Sequence, residues 1–398
     1  MEMNRYKQKV SVVDYFYIVL LLFSTLSVCY TMRNFALSGF CFLGFSVWRF
    51  LLKRRPGTNQ GSLWYILIFC IAILFNRFLL YPDVESLSWL ETILLAIASY
   101  CFFSSYDFEK FRKALLNTMF ILTLANIVVF ILDAGGALSA TYKQYGETTW
   151  RMIGGVFVTG RDDAWERLSG IWHEPGAFQI FLNSVLLLYI PFLVKRQVSQ
   201  FDILKLIVLI VGVVLTFSTT GYIVLALLIV YWGYLEVRYA SWLMKCLAMI
   251  GMPILVYIIA YAPAITEKFE QDRSAEAETS LAIRERDNLA CLAMALDHPF
   301  TGYGYNSEEF LEASMALDNQ TSSNGLLRMS AVLGIWWLVL YLLFLWQFFR
   351  KTHFPAYLFP MIAVILMQAN EAYVQYPISY MFLIPLLGTA VRRDMAVK

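Results

Sequence analysis

The sequence predicts an all-α, polytopic integral membrane protein of about twelve transmembrane helices, and three observations carry that prediction. Of 398 residues, 59% are apolar and 15% charged, where a soluble domain averages nearer half and a quarter. Apolar runs long enough to cross roughly 30 Å of hydrocarbon recur along the whole chain. The Lys and Arg residues between these runs gather on alternate connections, as short cytoplasmic loops do. Together these exclude a cytosolic enzyme, a secreted disulfide scaffold and a disordered chain. A net charge of +2, with no basic run longer than Lys53-Arg54-Arg55, gives no reason to expect nucleic acid.

The spans are expected near 15–31, 35–52, 63–81, 87–105, 114–132, 176–194, 203–220, 221–235, 243–262, 325–349, 355–373 and 376–391. Seven charged residues fall inside them: Arg49, Arg77, Glu91, Lys205, Lys245, Arg328 and Glu371. Each is within about five residues of a span end, where long side chains reach the interface. No period-two alternation is visible, so the backbone is satisfied within helices and not in a barrel. The boundary between the seventh and eighth spans, Ser218-Thr219-Thr220-Gly221, is either a very tight turn or a break in one long helix. Merging them would move every later loop to the other side.

Charge sorting sets the orientation. The terminal tails and the connections near 49–62, 106–113, 195–205, 236–245 and 350–354 hold 20 basic and 7 acidic residues, against 11 basic and 22 acidic on the other side. Both termini are therefore expected in the cytoplasm. Arg5, Lys7 and Lys9 precede an apolar run with no small-x-small cleavage site after it, so an uncleaved first span is expected rather than a signal peptide. Cys29, Cys41, Cys70, Cys101 and Cys246 fall in spans and only Cys291 in a loop, so no disulfide framework is indicated.

Two outward-facing loops, 133–175 and 263–324, are far longer than the rest, and long loops in a compact bundle are usually functional or disordered. The layout is thus a five-span bundle (1–132), a first loop (133–175), a four-span bundle (176–262), a second loop (263–324) and a three-span bundle with a tail (325–398). The first loop mixes Trp150, Trp165 and Trp172 with Arg151, Arg161, Asp162, Asp163, Glu166, Arg167, His173 and Glu174. Indole faces beside charged groups suit sugar recognition; an interfacial aromatic belt is the alternative. The second loop carries four basic and twelve acidic residues. From 275 to 296 its spacing is helical, with Leu281, Leu289, Leu292, Ala293 and Leu296 on one face. Arg284 and Arg286 flank that face at about 100° to either side. They could grip a phosphate, or Arg284 could pair with Asp287 three residues on. No HExxH, paired CxxC or DxD pattern occurs, so no metal site and no cofactor are expected.

Three words in these regions carry a resemblance. Arg167-Leu168-Ser169-Gly170-Ile171-Trp172-His173-Glu174-Pro175-Gly176 resembles the R-x-x-G-x-x-x-E-P-G signature of Wzy-type O-antigen and capsular polysaccharide polymerases. Leu215-Thr216-Phe217-Ser218-Thr219-Thr220-Gly221 is similar to the L-T-x-S-x-T-G turn of the wider O-antigen ligase and polymerase superfamily. His298-Pro299-Phe300-Thr301-Gly302-Tyr303-Gly304 resembles its H-P-x-x-G-x-G element, with Ser323-Asn324 following. The words cover about 167 to 330. Thr219 stands where the superfamily often has arginine, and no eleventh residue after Arg151, Arg161, Arg284 or Arg286 is glycine, so an R-x10-G pattern is absent.

The resemblance implies a GT-C-like membrane glycosyltransferase of the bacterial inner membrane, with periplasmic loops, that polymerises repeat units carried on undecaprenyl pyrophosphate. It also implies membrane lipid and a chain-length regulator protein as partners. Such a site needs cations for the leaving pyrophosphate and a base for the acceptor hydroxyl. The expected cations are Arg151, Arg161, Arg167, Arg284 and Arg286, with Arg328 as helper and His173 beside them. Glu174, just before a helix-starting Pro175, is the expected base; the alternative is an acid that only caps the helix. His298 is the second base candidate, and Glu371 is expected to order an arginine. An O-antigen ligase, or a lipid-linked oligosaccharide flippase or transporter, would share the span plan. A transporter, however, needs ionisable groups at the membrane middle, which are scarce here.

Overall fold

The computed structural model describes residues 10–25, 35–53, 60–82, 87–145, 148–161, 167–239, 280–317, 324–352 and 354–385. The chain is mostly helical: α1 (Val12–Phe23), α2 (Phe35–Lys53), α3 (Gln60–Phe75), α4 (Ser88–Ser105), α5 (Phe108–Ala134), α6 (Pro175–Val194), α7 (Gln200–Leu215), α8 (Thr219–Tyr239), α9 (Ser280–Asp297), α10 (Glu308–Ala316), α11 (Gly325–Leu333), α12 (Ile335–Lys351) and α13 (Leu358–Asn370). Among the described residues five segments, Gly61–Leu80, Ser88–Ser105, Phe108–Ala134, Pro175–Val194 and Thr219–Val237, are long and apolar enough to cross a membrane. Trp64, Ile71, Leu79, Ile121 and Ile131 lie exposed on them, an apolar belt too extensive for a water-facing surface. This is a multi-pass membrane protein. The ninth expected span, 243–262, lies outside the described residues.

Local signals start the helices. Ser11 and Asp14 form a reciprocal capping box on α1, and Asp107, Ser199 and Asn324 accept first-turn N–H bonds of α5, α7 and α11. The central helix is α6, with 89% of its apolar window buried, packed by α5, α7, α8 and α13. Two of the buried cations are paired, which offsets part of their desolvation. Arg49 lies 3.6 Å from Asp14, and Lys205 lies 3.0 Å from Asp202 and donates to Asn117.

Between α7 and α8 the helix breaks. Phe217 adopts a left-handed φ of 47°, the Ser218 hydroxyl accepts from Gly221 N, and Tyr222 reaches back to the Val214 carbonyl at 2.6 Å. Along one continuous helix those two residues would stand about 12 Å apart, so the tight turn, and not the merged helix, is what forms.

Three expectations are corrected. The first loop is not helical or irregular: β1 (Thr141–Tyr145), β2 (Thr148–Ile153) and β3 (Phe157–Arg161) form an antiparallel sheet in that order, so the chain is not strictly all-α. Its buried Trp150, Met152 and Val158 make a small cluster of their own, and strands this short give a period-two signal too brief to register. The expected span 325–349 is divided by Gly334 into α11 and α12. A side chain there would meet the Pro299 carbonyl at 2.5 Å, and hydropathy cannot see a break without a polar residue. In the expected span 376–391, Pro377–Phe382 forms a buried 3₁₀ turn packed on α4 and α12 instead of opening a spanning helix; Pro377 lacks the N–H that an α-helix interior uses.

The tryptophan reading is corrected as well. Trp172 is fully buried, stacked on Phe181 with ring centroids 4.2 Å apart, and donates to the Thr25 carbonyl. Trp150 is buried in the sheet cluster. Both are packing residues, neither sugar platforms nor interfacial anchors. Trp165 lies outside the described residues.

Candidate functional site

The segment from Arg167 to Gly176 is anchored by its apolar residues and opened by its polar ones. Leu168, Ile171 and Trp172 are buried. Backbone bonds tie Arg167 N to Thr159 of β3 and Leu168 N to the Leu215 carbonyl at the end of α7. Arg167, His173 and Glu174 keep partial exposure. Glu174 is the N-cap residue of α6, extended at φ −140° and ψ 148°, with Pro175 following. Its carbonyl accepts from Ala177 and Phe178, but its carboxylate makes no cap hydrogen bond. The side chain is thus not spent on capping.

Glu371, at the C-terminal end of α13, is 5% exposed. A Cβ on Gly176 would sit 2.2 Å from its Oε1, so this carboxylate rests on the first turn of α6, where only glycine leaves room. Glu174 and Glu371 both lie within electrostatic reach of the buried Tyr373 hydroxyl. Two acids therefore share one helix N-terminus.

Two further N-termini converge there. Thr220, in the first turn of α8, donates to Asn370 Oδ1 at 2.5 Å. A Cβ on Gly325, which opens α11, would meet the Glu371 carbonyl at 2.8 Å. Three helix N-termini around residues 370–372 give a positive backbone field that stabilises anions, whether carboxylate or phosphate. The site is built for negative charge.

The arginines divide. Arg284 on α9 donates from Nη1 to Asn370 Oδ1 at 2.8 Å. The alternative pairing with Asp287 does not form, since neither Asp287 oxygen has a hydrogen-bond partner. Arg167 lies close enough to act on the Tyr222 hydroxyl in α8. Arg286 is half-buried on α9. Arg328, one turn into α11, faces Tyr305 and Tyr376. Arg151 is spent elsewhere: it pairs with fully buried Asp133 at 2.8 Å, fastening the sheet to α5. Arg161 closes β3 opposite Trp150, and its side chain lies outside the described part. The leucine face of α9 turns outward, with Leu289 and Leu296 exposed, while Asp287, Ala290, Cys291 and Met294 are buried and α9 packs on α11.

His298 stands apart from the carboxylates. Residues 298–304 form a hook over the far end of α11: Tyr303 N and Gly304 N donate to the Ala331 and Val332 carbonyls, and Tyr81 Oη donates to the Gly302 carbonyl. That end is about 12 Å of helix from Gly325. His298 is half-exposed, 3.6 Å from Asp297 and edge-on to the Tyr303 ring. Gly302 has φ +61°, and a Cβ would fall 2.2 Å from the Val332 carbonyl. Gly302→Ala is therefore expected to unseat the hook and destabilise the protein by more than about 1 kcal/mol, read as a lower melting midpoint in detergent.

Tyr303 Oη donates to Asp297 Oδ2 at 2.5 Å, and that bond, aided by partial burial, pushes the phenol up to about 12. A folded value raised above the usual 10 means the bond's stabilisation is whole below pH 10 and lost as pH rises through 12. Alkaline titration of hook mobility should show that loss in the native chain and not in Tyr303→Phe.

The residues missed in the sequence are Asn370 and Thr220. Asn370 bonds Thr220 and Arg284 through one oxygen and donates to Glu371 Oε1 at 3.3 Å. It is uncharged and belongs to no motif; its one visible signal was a polar residue beside Glu371 at a span end.

At one end of the apolar bundle, this multi-pass membrane protein gathers two carboxylates, three helix N-termini and an arginine. Residues 204–342 match the family model Wzy_C, O-antigen ligase. The family implies a membrane enzyme acting on lipid-linked glycans. No curated protein and no solved structure matches the chain.

Proposed function

We propose that the protein polymerises repeat units carried on undecaprenyl pyrophosphate, by en bloc transfer on the periplasmic face of the bacterial inner membrane. The acceptor sugar hydroxyl attacks the anomeric carbon of the growing glycan. Its proton passes to Glu174, the bond from that carbon to the pyrophosphate oxygen breaks, and undecaprenyl pyrophosphate leaves with the electron pair. Arg167 and Arg284, with Arg286 and Arg328 in support, receive the developing phosphate charge together with the three helix N-termini. Glu371 and Asn370 hold Arg284 and the first turn of α6 in register.

The observation that carries this reading is that Glu174 at the start of α6 and Glu371 against Gly176 both act on the Tyr373 hydroxyl, with Arg284 drawn to the Glu371 end by Asn370. A second reading, transfer of finished glycan to a lipid core, is favoured by the description of the matching family, O-antigen ligase. Gel display of surface glycan from a deletion strain carrying Glu174→Ala, Arg167→Ala or Arg284→Ala tests both. A ladder collapsed to one repeat on the lipid core supports polymerisation. Loss of even that unit supports ligation or flipping, and normal ladders from all three variants remove the assignment.

A further inference from the structure

The 298–304 hook contributes no side chain to the carboxylate site, yet it walls a separate feature. With the Gly334 junction and the end of α3, it encloses a cavity of about 280 Å³ lined by Ile71, Phe75, Asn76, Phe300, Leu333 and Trp336, among others. An engineered apolar cavity of about 150 Å³ stays dry and takes benzene, so this one holds a stretch of hydrocarbon chain but not a whole lipid. Residues Asn76–Leu80 continue α3 as a π-helix, a widened turn often found at functional sites.

The polar groups on the wall are already committed. Asn76 Nδ2 donates to the Thr301 carbonyl at 2.8 Å and Trp336 Nε1 to the Phe300 carbonyl at 3.0 Å. What an occupant meets is carbon. Ile71, Phe75 and Phe300 are 62%, 50% and 81% exposed, and the first two lie on a segment apolar enough to cross a membrane. The groove thus opens to lipid and not to water.

We propose that this groove binds one acyl chain of a bilayer phospholipid, laid between α3 and Trp336 and covered by Phe300. A polyprenyl pyrophosphate would need cations at the mouth. Of the nearby ones, Arg77 is turned onto the Tyr81 and Pro82 carbonyls and His298 onto Asp297, while Arg284, bonded to Asn370, is held with the carboxylates at the other end of α11. Because the hook follows directly from α9, the bound chain buttresses the end of the helix that carries Arg284. The inference stands independently of the reaction proposed above.

The test uses the full chain in nanodiscs of phosphatidylethanolamine and phosphatidylglycerol, doped with a phosphatidylglycerol bearing a mid-chain diazirine. After photolysis, peptides are mapped by mass spectrometry. Label should concentrate on the peptides holding Ile71, Phe75, Phe300 and Trp336, above the level at Ile121 and Ile131 on the exposed face of α5. Excess unlabelled phosphatidylglycerol should remove that excess, and Ala72→Trp, which fills the groove, should reduce it to the α5 level. Ile71→Trp fills it from the exposed wall and serves if Ala72→Trp does not fold. Equal labelling of groove and α5, or labelling indifferent to a folded filling variant, overturns the proposal. Displacement by decaprenyl phosphate but not by phosphatidylglycerol overturns it in favour of an isoprenoid occupant.

Discussion

Gly176→Ala is expected to abolish long-chain glycan while the protein still reaches the membrane. The added methyl would lie 2.2 Å from Glu371 Oε1 and 3.2 Å from Asn370 Nδ2. Overpacking of this kind costs about 1–3 kcal/mol, which a large helical bundle can absorb. The site cannot absorb it so easily, because Glu371 is 5% exposed and Asn370 is held by both Thr220 and Arg284. Relief requires the α13 end, the carboxylate and the Arg284 contact to move together. A displacement of about 1 Å at a reacting centre can cost on the order of 100-fold in rate. The check is glycan length on a gel beside membrane abundance on a blot; normal length with normal abundance would show that the close approach at Gly176 has no functional role.

Glu174→Gln is expected to cause the largest loss of activity with the least disturbance of the fold. Glutamine keeps the size and the extended backbone at the start of α6, and the carboxylate makes no cap hydrogen bond that the change would break. The start of α6 should therefore be preserved. The amide cannot take the acceptor hydroxyl's proton, and loss of a general base costs about 10²- to 10⁴-fold. Glu174→Asp keeps the charge but draws it back by one methylene, and should fall between the two.

Much of this site was legible in the sequence, and the failures have physical causes. The Arg167–Gly176 word could be read because it interleaves plug residues (Leu168, Ile171, Trp172) with open polar ones (Arg167, His173, Glu174), and composition exposes that alternation. The start of α6 was legible because Pro175 announces it. Arg151 looked equivalent to Arg167 because charge type alone does not reveal a partner, and Asp133, eighteen residues away at the end of α5, supplies one. Asn370 was invisible because its importance lies in bringing together residues 150 and 86 positions distant. The break at Gly334 escaped for a related reason: a 25-residue apolar run reads as one helix unless something known to press against its middle, here the 298–304 hook, is in view.

In the proposed reaction Glu174 removes the acceptor proton at the N-terminus of α6. Its most direct test is single-turnover elongation by the purified protein in nanodiscs, with a lipid-pyrophosphate-linked repeat unit as both donor and acceptor. Glu174→Gln should bind the substrate with affinity close to that of the native chain but extend it at least about 100-fold more slowly. Elongation by Glu174→Gln at the native rate would contradict it.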